Sequence, residues 1–193
     1  MTENTPRDRY PLVEQMEALR FAAALTYAWV MMILLGAIVL ETVMIYPNVF
    51  SDPPESLELA MDFLSVRGPD DFFPPVGLLS WVLGAGALIT SWRVPSARRW
   101  LLLSLAMIVG EGLVSVLYFW PRNEIMFVEG LAVHAPEYLE HVAREFESWH
   151  WRSRLGFNTA AAVAAFTALL RVHRHHLTRP GVTTAPGARQ GSR

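Results

Sequence analysis

Two glutamates lie inside long apolar stretches of the sequence, where an ionisable side chain is rare. Glu41 follows the uncharged segment 21–40, and Glu111 is the single charged residue of segment 100–121. A charged group inside a bilayer costs several kcal/mol, so such residues usually face a bundle interior or a wet cavity, where they transfer protons or bind ligands. The two carboxylates therefore indicate either a site for proton chemistry within the membrane or ion pairs that fix helix packing.

Polar residues at helical spacing extend this pattern. Side chains three or four positions apart share one face of a helix, and two such sets occur late in the sequence. They are Glu111, Ser115, Tyr118 and Arg122 in the third apolar segment, and Glu147, His150, Arg154 and Asn158 in the fourth. Together with Glu41, they predict a polar cavity between the first, third and fourth helices that opens toward one membrane surface.

Aromatic residues occur at the same levels, and we expect them to line this cavity. They are Phe72, Phe73, Trp81, Tyr118, Trp120, Trp149 and Trp151. Three alternatives stay open. The tryptophans are also typical of an interfacial belt. The polar stripe of the fourth helix is also typical of a solvated face, and the glutamates fit simple ion pairs with Arg154.

Metal sites are only weakly indicated. Glu147 and His150 have the E-x-x-H spacing of di-iron carboxylate bundles, but no second such motif follows. A haem with two histidine ligands needs histidines on facing spans, and only His150 borders a span at the predicted outer side. We therefore predict no metal ligand and no bound cofactor.

The composition indicates which secondary-structure elements position these residues. Of 193 residues, 52% are hydrophobic and 18% are charged, against about a quarter charged in soluble domains. A bilayer core of ~30 Å needs about 20 apolar helical residues. The sequence predicts an all-α bundle of four transmembrane helices, with short amphipathic helices on its outer face. The predicted spans are 20–46, 73–92, 99–120 and 149–172.

This composition also excludes several function classes. It argues against a soluble enzyme, a disordered chain and a nucleic-acid-binding protein. Cysteine and lysine are both absent, which rules out thiolate chemistry, a Schiff-base lysine and a P-loop lysine. The expected partners are the lipid bilayer and a hydrophobic small molecule.

Arginines and acidic residues are sorted by side of the predicted membrane. One side contains the N-terminal arm, the link 93–99 and the C-terminal tail, and it has 11 arginines and 4 acidic residues. The other side has 5 arginines and 12 acidic residues. Basic loops stay in the cytoplasm. The sequence therefore predicts a multi-pass plasma-membrane protein with both termini cytoplasmic.

The segments outside the spans have their own signals. We predict a polar cytoplasmic arm over 1–19 and a disordered cytoplasmic tail over 173–193, which is rich in Gly, Thr, Pro and Arg. Acidic residues and prolines after Ser51 predict a short amphipathic helix. A second outer helix is expected to start near Pro136 and to run into the fourth span. Small residues such as Gly84 and Gly86 fit either packing within the chain or a homo-oligomer.

The order of these features resembles the anthrone oxygenase-like family of small four-helix membrane proteins, long known as a domain of unknown function. The resemblance spans about residues 21–172. It rests on the four hydrophobic spans, on Pro121-Arg122-Asn123 after the third, and on Trp151, Arg154 and Asn158 in the fourth. The larger outer segments 47–72 and 124–148 depart from the compact members of the family.

The resemblance implies an oxygenase that acts on anthrone-like aromatic substrates without an obligatory metal or flavin. A base would remove the acidic C–H proton, and the carbanion would react with dioxygen. In this chain Glu111 or His150 would be the base, Arg154 and Asn158 would stabilise the enolate oxygen, and Glu41 would relay protons. The aromatic walls would stack on the flat substrate.

A non-enzymatic function is the alternative. A proton or small-solute carrier would need polar groups that continue to the cytoplasmic side, and an accessory structural subunit would need only a well-packed bundle. The predicted inner halves of the spans, for example 30–38 and 101–109, carry few polar groups. This pattern favours a closed cavity over a channel, and it fits a structural bundle equally well.

Overall fold

The computed structural model describes residues 6–178, with side chains from Leu12 onward. This part of the chain forms five helices and no strand. The first helix, α1, runs through Pro6–Leu40, Glu41–Ile45 and Tyr46–Val49, and α2 is Glu55–Phe63. The third, α3, is Pro69–Thr90, and α4 runs from Pro95–Val114 to Gly130–Val133. The last, α5, joins Pro136–Trp149, His150–Arg154 and Leu155–Leu177.

Four of these helices are long and apolar enough to cross a membrane. The predicted all-α, four-helix architecture is therefore confirmed, although the helices extend beyond the predicted spans. The first begins at Pro6, inside the predicted polar arm, and α4 continues to Val133. The helix expected near Pro136 is continuous with the fourth span, as predicted. Residues 173–177 of the predicted tail are helical, and residues 179–193 lie outside the described part.

Segments of π-helix interrupt α1 and α4 just before prolines. Glu41–Ile45 precedes Pro47, and Ser115–Phe119 precedes Pro121. A proline in a helix donates no hydrogen bond, and its ring clashes with the carbonyl four residues earlier. Here that carbonyl belongs to the widened π segment, which allows both helices to continue past their prolines.

The long helices form a closed ring in which each packs against two neighbours. The helix α5 packs against α1 and α4, and α3 packs against the same two helices from the opposite side. A three-residue turn after Thr90 leads into α4, so α3 and α4 are antiparallel neighbours, as predicted. We call this the turn end of the bundle and the opposite one the α2 end.

Small residues and one hydroxyl pair hold the middle of the bundle together. The Tyr27 hydroxyl and Ser104 Oγ are 2.7 Å apart, and Ser104 also donates to the Ala161 carbonyl at 2.7 Å. This hydroxyl pair, Tyr27 and Ser104, joins α1, α4 and α5. A Cβ atom at Gly84 would lie 2.6 Å from Leu105 and 2.9 Å from the Tyr27 ring, so packing within the chain requires this glycine.

The predicted short amphipathic helix after Ser51 is present as α2. Its Leu57 is buried and belongs to the hydrophobic cluster at the α2 end, together with Met126 and Leu139. Leu59 and Phe63 remain strongly exposed on the same short helix. The α2 end of the bundle is therefore covered by α2 and by the extensions of α4 and α5.

Candidate functional site

Three helices change from α- to π-geometry close to the predicted polar residues. The π segment of α1 begins at Glu41, that of α4 begins at Ser115, and that of α5 spans His150–Arg154. A π turn inserts one extra residue and reorients the side chains that follow, and such turns occur frequently at functional sites. Each of the three helices thus departs from regular geometry where it supplies polar side chains.

Four ionisable side chains from these helices meet at one level, and we call them the charged cluster: Glu41, Glu111, His150 and Arg154. Arg154 donates from Nε to Glu111 Oε1 at 2.9 Å. Its Nη1 lies 3.9 Å from Glu41 Oε2, and the same oxygen lies 3.6 Å from His150 Nε2. The predicted residues on α1, α4 and α5 therefore form one connected group.

The charged cluster is almost fully enclosed by protein. Glu41, His150 and Arg154 retain 7%, 0% and 9% of their accessible surface, and the Glu111 side chain retains 12%. Burying charges is costly unless they are paired. One guanidinium faces two carboxylates here, and the His150 ring lies beside one of them.

Glu111 is the most firmly held member of the cluster. Its Oε1 accepts hydrogen bonds from Arg154 Nε and from Ser115 Oγ, the latter at 2.8 Å. Charge-assisted hydrogen bonds of this kind are roughly twice as strong as neutral ones. Glu111 therefore anchors Arg154.

His150 is oriented by a hydroxyl group. Thr42 Oγ1 lies 3.0 Å from His150 Nδ1 and 2.6 Å from the Ile38 carbonyl oxygen, to which it donates its hydrogen. A hydroxyl has a single hydrogen, so Thr42 accepts from Nδ1–H of the ring. In a neutral imidazole the other nitrogen, Nε2, then carries a lone pair.

Two atoms that face each other in the cluster have no hydrogen-bond partner. They are His150 Nε2 and Glu41 Oε2, and both are buried. Both are acceptors when the ring is neutral and the carboxylate is ionised. This geometry suits a pair of groups that accepts one proton between them.

Aromatic rings surround the charged cluster on several sides. Tyr46 meets the His150 ring edge-on at a centroid distance of 4.5 Å. The Arg154 guanidinium lies 4.9 Å from the centre of the Phe73 ring and 5.5 Å from that of Phe119. These contacts keep the guanidinium dry and fix its orientation by cation–π attraction.

The predicted lining residues divide into two groups. Phe73 contacts Arg154, and the Trp81 ring lies beside Gly112, where a Cβ atom would approach it to 2.6 Å. The other group lies farther out. Trp120, Trp149 and Trp151 are about half exposed, a placement that fits the interfacial belt named above as an alternative.

Tyr118 and Asn158 form contacts outside the charged cluster. The Arg122 guanidinium stacks on the Tyr118 ring at 3.6 Å and pairs with Glu145 at 2.9 Å. Asn158 is buried, and its side-chain amide donates to the Arg154 carbonyl at 2.9 Å. Asn158 thus supports the backbone of the π segment, while its predicted contact with a substrate oxygen stays a prediction.

Residues 12–178, whose side chains are described, contain no group of three or more His, Asp or Glu side chains arranged to hold a metal ion. Two cavities open elsewhere. One of about 530 Å³ lies at the turn end, and one of about 20 Å³ lies beneath α2. Neither is lined by a member of the charged cluster.

Two residues of the site were missed by the sequence interpretation. Thr42 directly follows Glu41, and a threonine in an apolar helix usually bonds to its own backbone, so its second contact with His150 has no sequence signal. Phe119 is an apolar residue among many. Only the fold reveals that it covers Arg154.

No protein-family model, no curated protein and no solved structure matches this chain.

Proposed function

We propose that the chain lies in the plasma membrane with both termini in the cytoplasm. The described helices include four candidate spans, and the sequence assigns 11 of the 16 arginines to the side with both termini and the link 93–99, against 5 on the other side. At the turn end, Arg93, Arg98 and Arg99 lie on the α3–α4 side, and Arg171 and Arg174 near the end of α5. Cytoplasmic loops carry such an excess of positive charge. The charged cluster then lies in the outer half of the membrane.

We propose further that the charged cluster is the active site of a cofactor-independent oxygenase for lipophilic aromatic compounds with an acidic C–H group, of which anthrone is the simplest example. The observation that carries this proposal is the buried pair His150 Nε2 and Glu41 Oε2, whose atoms face each other at 3.6 Å and have no hydrogen-bond partner. A base of this kind is what the first step of the reaction requires.

The proposed reaction consumes one dioxygen for each anthrone and begins with a proton transfer. The His150–Glu41 pair takes the C–H proton of the anthrone. The electron pair of the broken C–H bond stays in the ring system, which becomes an enolate. The carbanion carbon adds dioxygen to form a hydroperoxide, which takes up the proton. Loss of water then forms the new carbonyl. One oxygen atom enters the quinone and the other leaves as water.

Arg154 stabilises the enolate oxygen in this scheme. Positive groups fixed in a dry site act strongly on a developing negative charge, because little reorganisation is needed when the charge forms. Glu111 holds the guanidinium from one side, and Phe73 lies against it. We therefore assign the base to His150 with Glu41 as relay, and assign Glu111 to positioning.

The test is oxidation of anthrone by the full-length protein purified in detergent. Turnover is followed as anthraquinone formation and as dioxygen consumption, with an anaerobic control. We expect His150→Gln to lower turnover roughly 100-fold or more, as loss of a general base usually does. Tyr27→Phe, which also alters a buried polar contact, is the matched control and should keep its activity.

Two results would contradict the oxygenase. One is wild-type protein that oxidises anthrone no faster than buffer with detergent. The other is an His150→Gln variant as active as wild type, provided that its thermal unfolding shows a folded protein.

A proton carrier is the second candidate, because the buried polar groups do not end at the charged cluster. Asn158 follows Arg154 on α5, and the hydroxyl pair Tyr27 and Ser104 contacts Ala161 one turn farther. A carrier would move protons across liposome membranes without any substrate, and both His150→Gln and Tyr27→Phe would slow this flux. An oxygenase requires neither effect.

A further inference from the structure

A groove at the turn end of the bundle is separate from the charged cluster. It has a volume of about 530 Å³, within the range of ligand pockets in general. It lies between residues 12–20 of α1 and the turn that joins α3 to α4. Its walls are apolar and include Leu12, Met16, Ile89 and Trp92.

The floor of the groove is a buried ion pair. Arg20 donates from Nη1 to Glu17 at 2.7 Å and from Nε to the Thr90 carbonyl at 3.0 Å. Arg20 and Glu17 retain 6% and 5% of their accessible surface. These contacts tie α1 to the end of α3 and give the groove a fixed polar base.

The rim of the groove carries the cationic side chain of Arg93. Arg93 and His175 both line it, and Arg93 is exposed. Arg98 stacks on Trp92 at 5.0 Å, so a second guanidinium lies close to the groove wall.

The apolar walls continue into the surface that faces lipid. Leu12, Met16, Ile89 and Trp92 are each about half exposed or more. Ile89 lies at the very end of the span formed by α3, and Trp92 lies in the turn that follows it. An occupant must therefore place a hydrocarbon part against these side chains and a negative head near Arg93. Anionic phospholipids have this chemistry, and basic residues at a membrane surface attract them by about 1 kcal/mol each.

We infer that this groove binds the headgroup and upper chain of one anionic phospholipid. The ligand needs both parts, since the walls are apolar and the rim is cationic. A free phosphate ion lacks the hydrocarbon part, and a zwitterionic lipid lacks the net charge. The inference is independent of the proposed oxygenase, because the groove shares no residue with the charged cluster.

The test is native mass spectrometry of the full-length protein in detergent with added dioleoyl phosphatidylglycerol or dioleoyl phosphatidylcholine. We expect one phosphatidylglycerol to bind more tightly than phosphatidylcholine. Arg93→Gln should weaken its binding about fivefold, the equivalent of the attraction of one basic residue. Arg67→Gln removes the same charge from an exposed side chain that lies outside the groove, and it should have no effect.

A second variant separates the apolar part from the charge. Met16→Trp keeps the charge and fills the groove, and it should weaken binding of phosphatidylglycerol at least as much as Arg93→Gln does. Thermal unfolding of each variant checks that it is folded.

Three outcomes would overturn the inference. They are equal binding of the two lipids, an equal loss in Arg67→Gln and Arg93→Gln, and displacement of phosphatidylglycerol by inorganic phosphate at a similar concentration.

Discussion

Two buried polar groups each join α1, α4 and α5, and they are built in opposite ways. The hydroxyl pair Tyr27 and Ser104 is neutral, lies in regular α-helix, and bonds onward to the Ala161 carbonyl. The charged cluster lies in or within about one turn of π segments, and its Glu41 Oε2 and His150 Nε2 have no hydrogen-bond partner.

This difference separates a packing contact from a site. A neutral contact whose hydrogen bonds are all formed stabilises the bundle, and it requires no departure from regular α-helical geometry. Buried charge with unpaired acceptors and irregular helix lowers stability, and proteins keep such arrangements mainly where function requires them. The comparison therefore favours function for the charged cluster and structure for the hydroxyl pair.

Arg154→Met should have the largest effect on stability. It removes the one guanidinium that faces both Glu41 and Glu111, and leaving a buried charge without its partner costs roughly 3–5 kcal/mol. The measurement is the free energy of unfolding of the purified protein in detergent. The double variant Glu111→Gln/Arg154→Met leaves one buried carboxylate without its guanidinium, that of Glu41, where the single variant leaves two, and it should lose clearly less. Equal losses in the two variants would show that the ion pair is not what holds this region.

Thr42→Val should reduce activity more than stability. It removes the acceptor that keeps hydrogen on Nδ1 of His150, so the ring no longer favours one tautomer. We expect turnover of anthrone to fall roughly tenfold, about 1.4 kcal/mol in the activation free energy. Nitrogen NMR of the labelled histidine ring reports the tautomer directly. Thr42→Ser keeps the hydroxyl and should behave as wild type, whereas matching losses in both variants would rule out this positioning role.

Tyr27→Phe should have the smallest effect and should act on stability alone. It removes one hydroxyl from the hydroxyl pair, while Ser104 still bonds to the Ala161 carbonyl. The free energy of unfolding should fall by about 1 kcal/mol, the usual value of one hydrogen bond. Turnover should remain unchanged. A large loss of turnover would mean that the hydroxyl pair and the charged cluster act together in one function, and it would favour the proton carrier.

Much of the fold was predictable because a bilayer admits few architectures. Uncharged runs such as 21–40 predict helices, since a spanning segment must satisfy its own backbone hydrogen bonds. The helix ends were predicted less well. Charged residues at 6–19 and 122–133 suggested that the helices stop near the membrane. Both helices nevertheless continue beyond the predicted bounds, past Pro11 in α1 and past Gly130, which has a positive φ of 48°, in α4.

The members of the charged cluster were also predictable, because an ionisable residue in an apolar segment is conspicuous. Glu41, Glu111, His150 and Arg154 share a level that follows from helical spacing. The position of the tryptophans was not predictable in this way. An aromatic residue near a span end fits a cavity wall and a lipid-facing belt equally well, and only the packing places Trp120 and Trp151 outward.

The sequence by itself determined that four helices cross a membrane and that charges lie inside it, because hydrophobicity and helical period depend on residue type and order alone. The tertiary structure decided how those charges pair. In the folded protein Arg154 forms a hydrogen bond with Glu111, and His150 faces Glu41. Pairing depends on the rotation and depth of three helices relative to one another, and π turns reset that rotation. No local pattern of residues encodes the distance between side chains such as Glu111 and Arg154, or Glu41 and His150, which lie far apart in the chain.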